Sequence, residues 1–304
     1  MDVVVRFVHD HLMQAVYFAP RGRRRLIQLG DNISGRYLNP EDRLIGLVGD
    51  AGAGKSLLIR GMFPGLELTN DDEGINIRPL PLLNDAGMDD FSCHTYHLDV
   101  RFEAAFTPLW QLSDAVRKAI QAGCRVVVEH FEMLFDHLDI NAEVLIGIGE
   151  EVIVTRPGIF GPEPREIAQI VFESLPYRRM AHSAEDITSL VLKKMGIGPA
   201  DAHSDVSHGF MLEFKSCPQV DLGVVEAKVN QTINSNIPIS FNDDEHISIG
   251  SELFPCTGPR IHVNNAGEIV DFRLLKEIRL DPIQGLFAIV GTVGQDGRKV
   301  IKFG

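Results

Sequence analysis

The sequence predicts an α/β fold in which a parallel sheet carries the first functional site. Strand-like and helix-like segments alternate over about residues 44–135. Within them Arg125–Glu129 reads RVVVE, a composition typical of a strand buried on both faces. The apolar run Leu44–Val48 stands directly before a glycine-rich loop and a helix-like segment at Leu57–Met62. Alternation of this kind indicates helices packed on a parallel sheet.

The segments before this loop read as a β-rich N-terminal extension. Residues 2–8 and 14–19 have the composition of short strands, and the arginine-rich stretch Pro20–Arg25 reads as a turn before another strand at Leu26–Leu29. The arginines either surround a solvated hairpin turn or hold phosphates. After the loop we expect a strand at Thr95–Val100 and a helix around Leu109–Gln121.

Residues 49–56 read GDAGAGKS and match the phosphate-loop pattern G-x-x-x-x-G-K-[ST]. Glycines allow successive backbone N–H groups to face phosphate oxygens, Lys55 adds a positive charge, and the Ser56 hydroxyl is suited to bind Mg²⁺. The start of the following helix also favours an anion. We therefore expect a site for ATP or GTP with Mg²⁺, formed by Gly49, Asp50, Ala51, Gly52, Ala53, Gly54, Lys55, Ser56 and Leu57.

Two acidic residues end predicted strands beside this loop. Glu129 ends the strand Arg125–Glu129, and Asp99 ends the neighbouring strand in the same way. In α/β sheets, ligands bind at the carboxyl ends of the strands, so these acids are candidates to position the metal or water and to act as a base, with Lys55 as the third catalytic candidate. The alternative for each acid is a capped or solvated strand end.

Composition limits the possible functions. The chain has 304 residues, more than one hydrophobic core usually holds, so two domains are expected. Its net charge of −13 argues against a broad nucleic-acid surface and leaves small anions or a narrow tRNA contact. Four cysteines without a CxxC pair, an N-terminus unlike a signal peptide and the lack of a long apolar run predict a cytoplasmic protein without membrane contact.

With these motifs, the first half resembles the bacterial ATPase family that supports threonylcarbamoyladenosine synthesis on tRNA. The matching pieces are the loop 49–56, Arg60-Gly61, the strand end HLD at 97–99 with Arg101, and the strand VVVE at 126–129. The resemblance implies that Lys55 and Ser56 hold the triphosphate and Mg²⁺, that Asp99 supports hydrolysis, and that Glu129 is a second acidic site residue.

The sequence also departs from that family in two places. It lacks the family's Ser-Pro-Thr switch segment, and His130 stands where the family has tryptophan. Uridine-kinase-like phosphate-loop proteins also end an apolar strand in glutamate, so a phosphoryl-transfer enzyme is the alternative. In that case Arg156 and Arg165 are candidates for a lid loop.

A proline- and glycine-rich connection at 157–164 indicates that a second domain follows, and we place the domains at 1–176 and 177–304. Beyond it, a helix is predicted to start at His182, with His182 and Asp186 one turn apart on a common face. A histidine and an acid at this spacing can bind one metal ion, as can Cys256 and His262 from a distant loop. The candidate zinc ligands are therefore His182, Asp186, Cys256 and His262.

The second half resembles the editing, or second additional, domain shared by alanyl- and threonyl-tRNA synthetases and free-standing aminoacyl-tRNA deacylases. The pieces, in order, are HSAED at 182–186, GFMLEF at 209–214, the segment from VEAKVN at 225–230 to NIPI at 236–239, and CTGPRIH at 256–262 followed by GEI at 267–269. The resemblance implies an α+β domain that binds zinc at these four residues. Asp186 stands where that family has a second histidine, so a pocket that recognises an aminoacyl end without hydrolysing it is the alternative.

These features together predict an ATP- or GTP-hydrolysing protein with an editing-like domain that acts on aminoacyl- or modified tRNA. One alternative is a small-molecule kinase that holds an amino-acid-like acceptor, such as a free amino acid, in the editing-like pocket. The other is a nucleotide-dependent binding module without turnover. The sequence leaves open the oligomeric state, the amino acid, and the choice between ATP and GTP.

Overall fold

The computed structural model describes residues 14–69, 80–158 and 161–294. The chain divides into two compact units, of which the first comprises Met1–Ala19 and Arg24–Glu173 and the second comprises Pro20–Arg23 and Ser174–Gly304. The short segment Pro20–Arg23 thus belongs to the second unit although it lies near the start of the chain. The strand predicted at 2–8 lies outside the described residues.

The first unit is a mixed α/β structure around one six-stranded sheet. Its strands are β1 (Ala15–Phe18), β2 (Leu44–Val48), β3 (Thr95–Asp99), β4 (Arg125–Glu129), β5 (Val144–Ile148) and β6 (Glu151–Thr155). Its helices are α1 (Arg23–Tyr37), α2 (Lys55–Met62), α3 (Pro81–Met88), α4 (Val100–Glu103), α5 (Leu109–Gln121) and α6 (Phe135–Leu138), with a 3-10 helix at Phe131–Met133.

The sheet has the order β1-β6-β5-β2-β4-β3 and is mixed rather than purely parallel. Strands β3, β4, β2 and β5 are parallel neighbours, whereas β6 and β1 add antiparallel pairs at one edge. Only Gly149 and Glu150 separate β5 from β6, and so short a connection can join only antiparallel strands. The predicted parallel sheet is therefore present in four strands, which carry the predicted loop, and the prediction was wrong for the antiparallel pairs at this edge.

The predicted β-rich extension is wrong over the described residues after β1. Residues 26–29 lie in helix α1 instead of a strand, and Arg23–Arg25 form its first turn instead of a hairpin turn. The buried residues of α1 are Leu26, Gly30 and Ile33, which follow the spacing of one helix face. Strand β1 pairs with β6, so it is an edge strand of the main sheet.

Over its described residues, the second unit contains antiparallel sheets and two α-helices. A five-stranded sheet contains β7 (Ala202–Val206), β8 (Gly209–Phe214), β12 (Arg273–Leu274), β13 (Arg279–Asp281) and β14 (Leu286–Thr292). A three-stranded sheet contains β9 (Ile239–Asp243), β10 (His246–Ile249) and β11 (Glu252–Pro255). The helices are α7 (Pro164–Lys194) and α8 (Leu222–Asn234), with a 3-10 helix at Ala266–Glu268.

Helix α7 corrects a predicted boundary. The sequence predicts a helix that starts at His182, but His182 lies inside a single 31-residue helix that also contains Pro176. The division between the two units, after Glu173, also falls within α7. Its part beyond Ser174 contributes Ala181, Ala184 and Ile187 to the apolar core of the second unit. No helix in the described ranges combines the length and apolarity needed to cross a membrane.

Candidate functional site

The loop 49–56 connects β2 to α2, in the strand–loop–helix order that its motif requires. Gly54 is the N-cap of α2 and has a left-handed backbone with φ of 103°. A Cβ at this position would lie 2.8 Å from Cδ1 of Leu26. Glycine is needed here because any other residue would meet both backbone strain and a steric clash. Ala51 and Gly52 are exposed at the tip of the loop, and Leu57 lies in the first turn of α2.

Lys55 and Ser56 both contact Glu129, the last residue of β4. Lys55 Nζ donates hydrogen bonds to the carbonyl oxygens of Gly49 and Asp50, at 3.0 and 3.1 Å, and lies 3.7 Å from Oε2 of Glu129. The Ser56 hydroxyl donates to Oε1 of Glu129 at 3.1 Å. Because β2 and β4 are parallel neighbours, the loop that follows β2 and the acid that ends β4 meet at the carboxyl ends of these strands.

Glu129 is a buried carboxylate with polar partners on both oxygens. Burial raises its pKa, but the hydrogen bond from His97, the charge of Lys55 and the hydrogen bond from Ser56 together bring the pKa below its ordinary value. Glu129 is therefore ionised at neutral pH and supplies the negative charge that faces Lys55.

Asp99, the other predicted acid, has a different local role. It pairs in register with Glu129 on the adjacent strand, and its side chain accepts the Phe102 N–H at 3.1 Å, which caps α4. This is the capped strand end that was the alternative interpretation of Asp99, and a role in chemistry stays a prediction. Arg101 lies 3.3 Å from Oδ1 of Asp50 and so contacts the loop directly.

The two arginines considered for a lid loop lie elsewhere. Arg165 lies in the first turn of α7, not in a loop, and forms an ion pair with Asp136. Arg156 forms two hydrogen bonds to the carboxylate of Asp42, at 2.6 and 2.9 Å, and that carboxylate is buried. Both side chains already have carboxylate partners, so neither is placed as a lid residue by these contacts.

His97 contacts Glu129, although the sequence points to His97 only as part of a family resemblance. Its Nε2 lies 3.2 Å from Oε1 of Glu129, and its Nδ1 accepts the Thr69 N–H at 3.1 Å. His97 and Glu129 come from adjacent parallel strands, β3 and β4. The sequence signal was available, since His97 is two residues before the strand-end acid Asp99 and its side chain therefore lies on the same face of β3.

In the second unit, the four predicted metal ligands come together. Their ligand atoms all lie within 4.8 Å of one another. His262 Nε2 is 2.8 Å from Asp186 Oδ2, and Cys256 Sγ is 3.5 Å from His182 Nε2 and 3.8 Å from His262 Nε2. Bond lengths typical of zinc place the ligands of a tetrahedral site about 3.3–3.6 Å apart. The cluster is therefore close to the spacing that one Zn²⁺ ion requires.

Backbone contacts orient these ligands. His182 Nδ1 faces the carbonyl of Ile261 at 3.1 Å, and His262 Nδ1 faces the carbonyl of Pro259 at 3.2 Å. A carbonyl can only accept, so each Nδ1 carries the proton and each Nε2 presents its lone pair to the cluster. The Gly258 N–H donates to Cys256 Sγ at 3.4 Å. Such second contacts fix the orientation of ligands around metals in proteins.

The pKa shifts of the cluster follow from its burial and from the charges around it. Burial and nearby positive charges lower the pKa of His182 well below its ordinary value, so its imidazole is neutral. Burial raises the pKa of Asp186, and burial together with the Asp186 charge raises the pKa of the Cys256 thiol. A bound divalent cation would lower the pKa of the Cys256 thiol because it stabilises the thiolate. The donor set of two imidazoles, a carboxylate and a thiolate suits Zn²⁺.

The segment Pro20–Arg23 lies against this cluster, which the sequence did not predict. Arg21 is buried, forms an ion pair with Glu185, and lies 2.8 Å from the carboxylate of Asp205. Burial lowers its pKa, but these two carboxylates more than offset this and raise the pKa above its ordinary value. A Cβ at Gly258 would lie 1.9 Å from the carbonyl oxygen of Arg21. Glycine is therefore required where this segment passes the loop between Cys256 and His262.

Comparisons of the sequence with models of protein families and with curated proteins find no match.

Proposed function

We propose that the first unit binds a Mg²⁺–nucleoside triphosphate at the loop 49–56 and cleaves its terminal phosphate. The observation that carries the proposal is the convergence of Lys55, Ser56 and Glu129 at the carboxyl ends of β2 and β4. A cation, a hydroxyl and a buried carboxylate are the groups that phosphoryl transfer needs at one phosphate loop. ATP and GTP both fit this proposal.

The contacts of Lys55, Ser56 and Glu129 suggest how these residues would act when a nucleotide binds. Lys55 donates hydrogen bonds to the loop carbonyls of Gly49 and Asp50, and its charge neutralises that of Glu129. Phosphate oxygens would take over the Lys55 hydrogen bonds, and the Ser56 hydroxyl would turn from Glu129 to Mg²⁺. Glu129 would then be free to orient the water or hydroxyl that attacks the terminal phosphate.

For the second unit we propose a Zn²⁺ ion held by His182, Asp186, Cys256 and His262. Four protein ligands make a closed site, which is the usual form of structural zinc, whereas catalytic zinc keeps a position for water. The spacing of the ligand atoms favours the closed form. The ion would stabilise the contact between helix α7, which carries His182 and Asp186, and the loop that carries Cys256 and His262. This unit would then recognise an aminoacyl group without hydrolysing it.

Aminoacyl- or modified tRNA is the partner that we propose for the whole chain. Its support is the resemblance of each half to a tRNA-related family, over the loop and strand ends in the first half and over residues 181–277 in the second. A second candidate, phosphate transfer to an amino-acid-like acceptor, is favoured by the closed ligand set, because a unit without metal-activated water is better suited to hold an acceptor than to hydrolyse an ester.

The test is a turnover assay with ATP and with GTP, each alone and with aminoacyl-tRNAs, uncharged tRNA or free amino acids. Release of inorganic phosphate that rises with aminoacyl-tRNA supports the first candidate. A phosphorylated amino acid in the product mixture supports the second. Nucleotide binding without turnover under all conditions leaves the binding module, and the absence of nucleotide binding contradicts the proposal for the first unit.

A further inference from the structure

We propose that His97 is a positioning residue that holds the carboxylate of Glu129 in place for phosphate cleavage. The inference rests on the function proposed above for the first unit. Its basis is a three-residue chain in which Thr69 contacts His97 and His97 contacts Glu129, at 3.1 and 3.2 Å.

The direction of these hydrogen bonds follows from the donors. A backbone N–H can only donate, so the bond from Thr69 N requires an unprotonated Nδ1 on His97. The ring proton therefore sits on Nε2, which faces Oε1 of Glu129. Thr69 thus selects the tautomer, and His97 donates a hydrogen bond to the buried carboxylate.

Glu129 needs this donor once a nucleotide is bound. Its oxygens have Ser56, Lys55 and His97 as polar partners. Binding of Mg²⁺ and phosphate would draw Ser56 and Lys55 away, and His97 would be the partner that stays. The His97 side chain is 1% exposed and that of Glu129 is 6% exposed. A buried carboxylate without a donor is costly, so His97 keeps Glu129 ionised and correctly oriented.

A purely structural role predicts different behaviour. If His97 only joins Thr69 to the sheet, any loss of the side chain destabilises the fold and lowers activity in proportion to the folded fraction. If His97 acts through Glu129, only loss of the Nε2 donor matters for the chemical step. Two substitutions separate these cases, because the asparagine amide oxygen can replace Nδ1 and the glutamine amide nitrogen can replace Nε2.

The experiment compares the full-length parent with His97→Asn, His97→Gln, Glu129→Gln and the double variant His97→Asn/Glu129→Gln. Each protein is assayed for Mg²⁺–ATP affinity, kcat and thermal midpoint. We expect His97→Asn to lower kcat by about 10- to 100-fold with nucleotide affinity within about threefold of the parent, because it removes one hydrogen bond to a charged group. His97→Gln should keep most of the parental kcat.

The double variant tests whether His97 acts through Glu129. We expect its kcat to be no lower than that of Glu129→Gln alone. Once the carboxylate of Glu129 is absent, loss of the His97 side chain that orients it has no further effect on the rate. The role of His97 is overturned if His97→Asn keeps the parental kcat, if both His97 variants lose activity equally, or if the losses in the double variant multiply. A parent that does not bind or turn over nucleotide contradicts instead the proposed function, on a measurement made before any variant.

Discussion

The loop site of the first unit and the metal cluster of the second hold their polar groups in different ways. At the loop site, a cation and a carboxylate of opposite charge balance each other, and Lys55 also occupies two backbone carbonyls. In the metal cluster, four potential ligands point toward one another, and burial leaves the Cys256 thiol with a raised pKa. The first arrangement pairs opposite charges, and the second gathers four potential metal ligands around one point.

This difference indicates what each site binds. Groups that neutralise one another can exchange partners, which suits a nucleotide that binds and leaves. A buried cluster of donors, with each histidine fixed by a backbone carbonyl, suits a resident ion. We therefore expect the second unit to depend on its metal for stability and the first unit to fold without a ligand.

The largest effect that we expect is loss of the metal. The double substitution Cys256→Ser/His262→Ala removes two of four ligands and should abolish stoichiometric zinc, as measured by elemental analysis of protein purified without chelator. The thermal midpoint of the second unit should fall with it, because metal binding contributes directly to folding. Cys217→Ser/His246→Ala, two positions in the same unit outside the cluster, is the matched control and should keep zinc. Equal zinc content in the two double variants would exclude the proposed ligands.

The second prediction concerns the chemical step at the loop site. Glu129→Gln should lower nucleotide turnover by about 10²- to 10⁴-fold, the range typical of a lost general base, while nucleotide still binds. Asp99→Asn keeps an N-cap residue on α4, because asparagine caps a helix as well as aspartate does. Any fall in its turnover therefore reports the lost charge, and we expect a smaller fall than for Glu129→Gln.

If Glu129→Gln hydrolyses or transfers phosphate at the parental rate, the contact with Ser56 is only structural. If Asp99→Asn is fully active, the role implied for Asp99 by family resemblance is wrong and the helix cap is its function. Both variants need a nucleotide titration beside the rate, so that a loss of binding is not mistaken for a loss of chemistry.

The third prediction concerns nucleotide affinity. Lys55→Ala should weaken binding of Mg²⁺–ATP by about 10- to 100-fold, because it removes a buried charge-assisted hydrogen bond to phosphate. Lys118→Ala, on the half-exposed face of α5, is the control and should bind as the parent does. Identical titrations for the two variants would remove the loop 49–56 as the nucleotide site.

The smallest effect is the pH dependence of zinc binding. The metal-free cluster holds protons more tightly than ordinary groups, since the pKa of Cys256 and that of Asp186 are both raised. Zinc binds the deprotonated forms, so binding releases protons, and affinity should rise with pH by about tenfold per unit for each proton released. Competition with a chelator between about pH 6 and 8 measures how steeply the zinc affinity changes with pH. A flat profile would show that the thiol is not a ligand.

Part of the fold was predictable because local pattern determines it. The strand before the loop, the helix Leu109–Gln121 and the strand Arg125–Glu129 were confirmed with their predicted bounds. The strand predicted at residues 26–29 was wrong because three apolar residues in four fit a short strand or one helix face equally well, and the helical spacing of Leu26, Gly30 and Ile33 becomes visible only over a longer segment. The start of a helix at His182 failed because α7 continues through Pro176, which sequence rules treat as a break.

The sites show the same division. The loop is contiguous in sequence, and its strand-end acid follows from the order of parallel strands. The convergence of His182 and Asp186 with Cys256 and His262 was expected from family resemblance, since their spacing alone is a weak signal. The burial of Arg21 beside the cluster depends on a contact between segments more than 160 residues apart, which no local pattern encodes.

The most direct test of the contrast between the two sites is one elemental analysis at two stages. The protein is first dialysed to equilibrium against Mg²⁺–ATP and then against buffer without nucleotide, and zinc, phosphorus and sulfur are measured each time, with eight methionines and four cysteines as the internal sulfur standard. The account predicts one zinc per chain at both stages, and bound phosphorus at the first stage that is lost at the second. Substoichiometric zinc at both stages would contradict it, and so would a phosphorus concentration in the protein solution that never exceeds the concentration in the dialysis buffer.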